Sequence, residues 1–344
     1  MPGRGTRGWA VTLWWPERML RVGYPAVAVA VAVLVLINEL LIGGWHPQRW
    51  DWLLVTGAAT LLVALRRALY LPDRLDEALT RLANRGMLTK RDLPEFCRES
   101  HRRARRAALI GAAIFAVAVG VAWTVAFGAE IGDRIILAVG ETVAAVPVGM
   151  FVGRASSYGR LGTRLRRARF ELTPDPRHLD GAAGMLPIGN FYFHQAGLLA
   201  VPGVFLAVWW FLIPLFGQRY LVWRTPYAGL LAVVVISEIL VFVLPMLSFH
   251  QVMLARKVDL FREADELTGR SARAVGGEPL SEGDRQRYQD IESMPVWPVD
   301  VRIRRRFGIN NALLLVPVVA QLLGASEATQ KLLENIQNFL AGSA

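Results

Sequence analysis

Six apolar runs, each about 20 residues long and separated by charged segments, constrain this chain more than any other feature. A helix rises about 1.5 Å per residue, so such a run matches the roughly 30 Å hydrocarbon core of a bilayer. The runs fall at about Tyr24–Gly43, Trp52–Tyr70, Ala107–Phe127, Ile135–Gly153, Ala196–Gly217 and Tyr227–Phe249. Of the 344 residues only 19% are charged, below the quarter usual in soluble domains, and the apolar residues are clustered rather than dispersed. The expected fold is all-α: a polytopic membrane helical bundle with about six transmembrane helices and amphipathic cytoplasmic helices.

Basic residues set the orientation. Twelve lie in Arg66–Ala107, seven in Arg154–Phe193 and eleven in His250–Gly308. The short connections hold only Arg49, then Arg134, then Arg219 with Arg224. Positive residues favour the cytoplasmic side, so the pattern predicts both termini inside. The same bias accounts for the net charge of +11 without nucleic acid as a partner. The cluster from Arg160 to Arg169 suits anionic lipids at the cytoplasmic face. The single cysteine, Cys97, excludes an internal disulfide and a cysteine metal cluster.

The chain then divides into an interfacial N-terminus over 1–23, a spanning region over 24–249 with cytoplasmic loops 71–106 and 154–195, and cytoplasmic helices over 250–344. In the first loop, Leu75, Leu79 and Leu82 fall at helical spacing, and Gly86 marks a turn. Gly149 and Gly153 have the spacing that permits close helix contact. In the tail, Pro295-Val296-Trp297-Pro298-Val299-Asp300 is a fixed bend, because two prolines around a tryptophan do not fit a regular helix. The apolar run 312–323 is short for a span and contains Pro317, which suggests an interfacial or re-entrant segment. Gln330–Leu340 places Leu332, Leu333, Ile336 and Leu340 on one face, suited to pairing between subunits of a homo-oligomer.

The second loop reaches Arg177-His178-Leu179-Asp180-Gly181-Ala182-Ala183-Gly184-Met185-Leu186-Pro187-Ile188-Gly189, whose small residues and proline read as a tight loop. Three chemistries fit it. Asp180 can cap a following turn while the glycines shape the chain. Exposed N–H groups near a helix start can hold an anion beside Arg177. His178 and Asp180, with His194, offer a metal or hydrolytic set that lacks a well-placed third ligand.

These residues carry a resemblance. The chain resembles a group of uncharacterised bacterial multi-pass membrane proteins with a His-Pro-Asp-Gly-Ala-Gly-Gly-Leu-x-Pro-Leu-Gly-like loop and a Pro-x-Trp-Pro-Phe-Asp-like bend. His178, Asp180, Gly181, Gly184, Pro187 and Gly189 stand at the loop's positions, and Pro295, Trp297, Pro298 and Asp300 at the bend's. Leu179, Ala183 and Val299 depart from the pattern. Leu244-Pro245, His250 and Lys257 are similar to that group's exit from its last long span. The resemblance covers about 170–340 and implies the architecture and a bacterial inner membrane as its setting; no activity accompanies it.

Three carboxylates fall inside expected spans: Glu39 and Glu141 toward outer ends, and Glu238 near a centre. An ionised carboxylate there is costly unless paired, wetted or protonated. Glu39 is expected to reach the interface. Glu238 reads either as a cation or proton site or as a helix contact, with Asn38 or Thr142 as candidate partners. No nucleotide loop, nucleophile elbow or zinc motif occurs, so neither catalysis nor a cofactor is expected. The leading expectation is channel-like ion permeation by an oligomer; the alternative is a non-catalytic scaffold or signalling component that binds protein partners.

Overall fold

The computed structural model describes residues 15–43, 45–46, 50–88, 93–127, 135–167, 172–214, 216, 221, 224–274 and 281–322. Every regular element among them is helical: α1 (Trp15–Gly43), α2 (Trp52–Leu69), α3 (Leu71–Asn84), α4 (Leu93–Phe127), α5 (Ile135–Gly159), α6 (Leu161–Arg167), α7 (Leu186–Leu212), α8 (Arg224–Ala274), α9 (Glu282–Ser293) and α10 (Val301–Leu322). Among the described residues, five helical stretches are long and apolar enough to cross a membrane: Arg21–Leu41, Trp52–Asn84, Leu93–Val121, Leu186–Leu212 and Tyr227–Thr268. The expected span at Ile135–Gly153 falls on α5, several of whose side chains lie outside the described residues. Outward faces agree with lipid contact, since Val22, Leu34, Leu41, Ile110, Val117, Val233 and Leu244 are all exposed. The N-terminal interfacial segment up to residue 14 and the amphipathic Gln330–Leu340 lie outside the described residues.

Two boundaries differ from the sequence reading. The helix that carries the fifth expected span, α7, begins ten residues before Ala196 and takes Leu186, Pro187, Ile188 and Gly189 into its first turn. Proline is compatible with that turn because the first N–H groups of a helix have no partner within it. The short apolar run that starts at 312 has no helix boundary before it. It continues α10, a helix of 22 residues whose first turns carry Arg302, Arg304, Arg305 and Arg306.

The chain divides into two compact units, one comprising 1–11, 72–193 and 241–303, the other 12–71, 194–240 and 304–344. In the first, Leu75, Leu79 and Leu82 bury one face of α3 completely, while Arg74, Glu77 and Arg81 pair on the opposite face. Helices α4 and α5 touch backbone to backbone. A Cβ at Gly149 would overlap the Gly111 carbonyl oxygen, and one at Gly153 would overlap that of Ala107. Buried His101 of α4 joins three helices: Nε2 donates to Asp76 of α3 at 2.8 Å, which leaves Nδ1 to accept from the Tyr158 hydroxyl of α5 at 3.0 Å. The Tyr192 hydroxyl of α7 donates to the Tyr158 carbonyl at 2.7 Å.

In the second unit, Leu206, Trp209 and Ile213 of the α7 region pack with Tyr227, Leu231 and Val235 of α8 and Leu314 of α10. Tyr24 of α1 donates to the Leu62 carbonyl of α2 at 3.0 Å, and the Arg21 guanidinium reaches that of Leu69. Glycine at the α4–α5 contact can be tested. Gly149→Ala is expected to lower folding stability by about 1–3 kcal/mol, read as thermal unfolding in detergent. Gly120→Ala, where nothing lies within 4 Å of the added carbon, is expected to be neutral or slightly stabilising.

Candidate functional site

The glycine-rich loop is built around one carboxylate. Asp180 Oδ1 accepts from the N–H groups of Ala182 (3.0 Å) and Gly184 (2.9 Å), and Oδ2 from that of Leu186 at 3.4 Å. Arg85, in the turn after α3, donates to Oδ2 at 2.7 Å and to the Gly184 carbonyl at 3.2 Å. The Asp180 side chain is only 7% exposed. Burial alone would raise its pKa. The N–H groups of Gly184 and Ala182, the neighbouring His178 and the N–H of Leu186 outweigh burial, and hold the carboxyl below its ordinary value.

Wrapping N–H groups around one carboxylate requires left-handed backbone. Gly181 and Gly184 have φ of 67° and 86°, and Ala183 between them has 49°. Gly184 also admits the Met87 side chain, 2.9 Å from where a Cβ would sit. The turn at Gly86 is thereby joined to the loop, and Thr173 adds bonds to the Gly86 and Met87 carbonyls. Within the loop, His178 Nδ1 accepts from the Asp180 N–H at 3.3 Å.

The bend packs on the same loop. A Cβ at Gly189 would overlap the Pro298 carbonyl oxygen, and Gly181 lies 3.7 Å by the same measure from the Asp300 side chain. Asp300 caps α10 by accepting from the N–H groups of Arg302 and Ile303. His250 of α8 donates from Nδ1 to the Val296 carbonyl at 2.7 Å, and its ring stacks on Trp297 with centroids 4.4 Å apart. Lys257, two turns further along α8, donates to the carbonyls of Glu292 (2.6 Å) and Met294 (3.3 Å). A cation there complements the C-terminal end of α9. Pro295 is half-buried and Pro298 fully buried.

This geometry bears on the three readings of the loop. The N–H groups that would bind an anion already hold Asp180, so the loop carries its own anion. Arg177 turns to Asp290 at 2.8 Å, and that contact holds the Asp290 carboxyl below its ordinary pKa. No group of three His, Cys, Asp or Glu side chains suited to a metal occurs among the described residues.

The intramembrane carboxylates have different environments. Glu39, near the end of α1, is 1% exposed and accepts from the Asp51 N–H, at the residue that caps α2. Its second oxygen accepts from Asn38 at 3.3 Å. The side chain of Glu141 lies outside the described residues. Glu238 of α8 is 2% exposed, and its partner is neither Asn38 nor Thr142 but Asn311 of α10, whose Nδ2 donates to Oε1 at 3.4 Å. The same Nδ2 donates to the Phe307 carbonyl at 3.0 Å. Glu238 Oε2 and Asn311 Oδ1 are both buried and have no hydrogen-bond partner. Asn310 and Asn311 ahead of an apolar stretch were the sequence signal for this pair.

Fold and sites together define an all-α protein with the long apolar helices of a multi-pass membrane protein. Comparison with family models, curated proteins and solved structures found no match to the chain.

The charge at Asp180 makes a pH-dependent prediction. A depressed carboxyl pKa stabilises the fold above the unfolded value near 4, and that contribution is lost as pH falls through the lower folded value. Asp180→Asn is expected to cost about 2 kcal/mol near pH 7, seen as a lower unfolding temperature. The gap from the native chain should narrow progressively below about pH 4.

Proposed function

We propose that this protein is an oligomeric, channel-like component of a bacterial inner membrane, with both termini on the cytoplasmic side. The observation that carries this reading is the Glu238–Asn311 pair. It leaves a buried carboxylate oxygen without a partner on Tyr227–Thr268, a helix of membrane-spanning character, beside an equally unpartnered amide oxygen of α10. Leaving a buried carboxylate half-satisfied costs several kcal/mol, and ionisable groups inside membranes line ion paths and proton relays. Hard oxygen ligands suit a small cation or a proton. Glu39, by contrast, has a donor at each oxygen, the Asp51 N–H and the Asn38 amide.

Reconstituted protein is expected to pass K⁺ or H⁺ above the level of empty liposomes. Glu238→Gln and Asn311→Leu should each lower the flux severalfold while oligomer size stays constant. Flux that is absent, or indifferent to both substitutions in folded protein, would move the assignment to a scaffold that binds protein partners.

A further inference from the structure

At one end of the α4–α5 contact the helices flank an open cavity of about 700 Å³. Arg103, Arg106, Ala107 and Ile110 line it from α4, at the spacing of a single helical face. Ser156, Ser157 and Arg160 line it from the end of α5 and the residue after it, and Thr163 and Arg164 from α6. The cavity holds four arginines and no acidic side chain. Of these, Arg103 is paired outward with Glu99 at 2.7 Å. Arg106 and Arg160 have no acidic partner among the described residues.

Arg164 shows that the site is built. Its Nη2 donates to the Ser157 carbonyl at 2.6 Å and to the Ser157 hydroxyl at 2.9 Å, which fixes the plane of the guanidinium. Its Nη1 is buried and has no hydrogen-bond partner. Burial first, and then the neighbouring charge of Arg103, depress its pKa. An arginine keeps its proton regardless, so a fixed positive charge stands at the wall of the cleft with one N–H short of an acceptor. Two guanidinium groups flanked by hydroxyls match the oxygens of a phosphate.

The surroundings identify the source of that phosphate. Ile110, which lines the cavity, begins a row of exposed apolar side chains on α4 that continues through Ile114, Val117 and Val121. Val148 and Val152 are exposed on α5. A soluble phosphate gains nothing from such a row, whereas acyl chains would lie along it with their headgroup in the cavity.

We propose that the cavity between α4, α5 and α6 binds the phosphate headgroup of an anionic lipid, with the acyl chains lying along the exposed apolar face of α4. The site depends on membrane residence and not on ion conduction, so it stands or falls separately from the flux assay.

The test uses the full-length, delipidated protein in detergent, with lipid retention measured by native mass spectrometry. The probes are phosphatidylglycerol, phosphatidylcholine and inorganic phosphate. Phosphatidylglycerol is expected to bind roughly tenfold more tightly than phosphatidylcholine, as a few unpaired arginines at a membrane surface provide. The double variant Arg106→Gln/Arg160→Gln changes only exposed side chains, and should lose most of that preference with an unchanged unfolding temperature in lipid-free detergent. Arg164→Lys keeps the charge but not the planar fork, and should weaken binding as well. Equal retention of the two lipids, or a preference that survives the double variant, would overturn the proposal. Displacement of phosphatidylglycerol by millimolar inorganic phosphate would overturn the lipid as source, and identify a soluble phosphate as the ligand.

Discussion

The shape of the first unit depends on a single buried carboxylate. Asp180 collects three backbone N–H groups and one guanidinium, and no side chain without a full negative charge could satisfy all four donors. Those bonds convert a flexible, glycine-rich segment into a defined surface. The surface is what allows the Pro295–Asp300 bend to approach within backbone contact at Gly189. The bend in turn is held from α8 by His250 and Lys257, and passes the chain into α10 through the Asp300 cap. Removal of the charge at Asp180 therefore reaches elements far away in sequence.

Electrostatics in the apolar helices follows a different rule. Water cannot complete a carboxylate's hydrogen bonds there, so the number of protein partners decides what the group can do. Glu39 and Glu238 are equally buried, yet Glu39 is anchored to the start of α2, and Glu238 has an oxygen to spare. The arginine cavity is the converse case, with positive groups left short of partners at the edge of the apolar zone.

Hydropathy made the helical class and most span centres legible, because the cost of burying polar backbone leaves a long apolar run few alternatives to a helix. The Leu75–Leu79–Leu82 face was readable for the same reason of periodicity. Helix ends were less readable. Leu186–Gly189 looks like a loop in sequence, but tolerates a helical first turn once Asp180 satisfies the N–H of Leu186. Partners distant in the chain were not readable at all. His101 between Asp76 and Tyr158, and Asn311 beside Glu238, depend on which helices meet. Polar residues in apolar surroundings signal that a partner exists without saying where it lies.

Ala183 illustrates how little separates alternative sequences in this loop. Its φ of 49° costs an L-residue about 1 kcal/mol. Its fully buried methyl group recovers about 0.8 kcal/mol of that, which a glycine would forgo. The two residues are therefore nearly degenerate at this site. Over evolutionary time alanine and glycine can exchange there by neutral drift, while Gly184 beside it, at φ 86° and against the Met87 side chain, favours glycine on both counts.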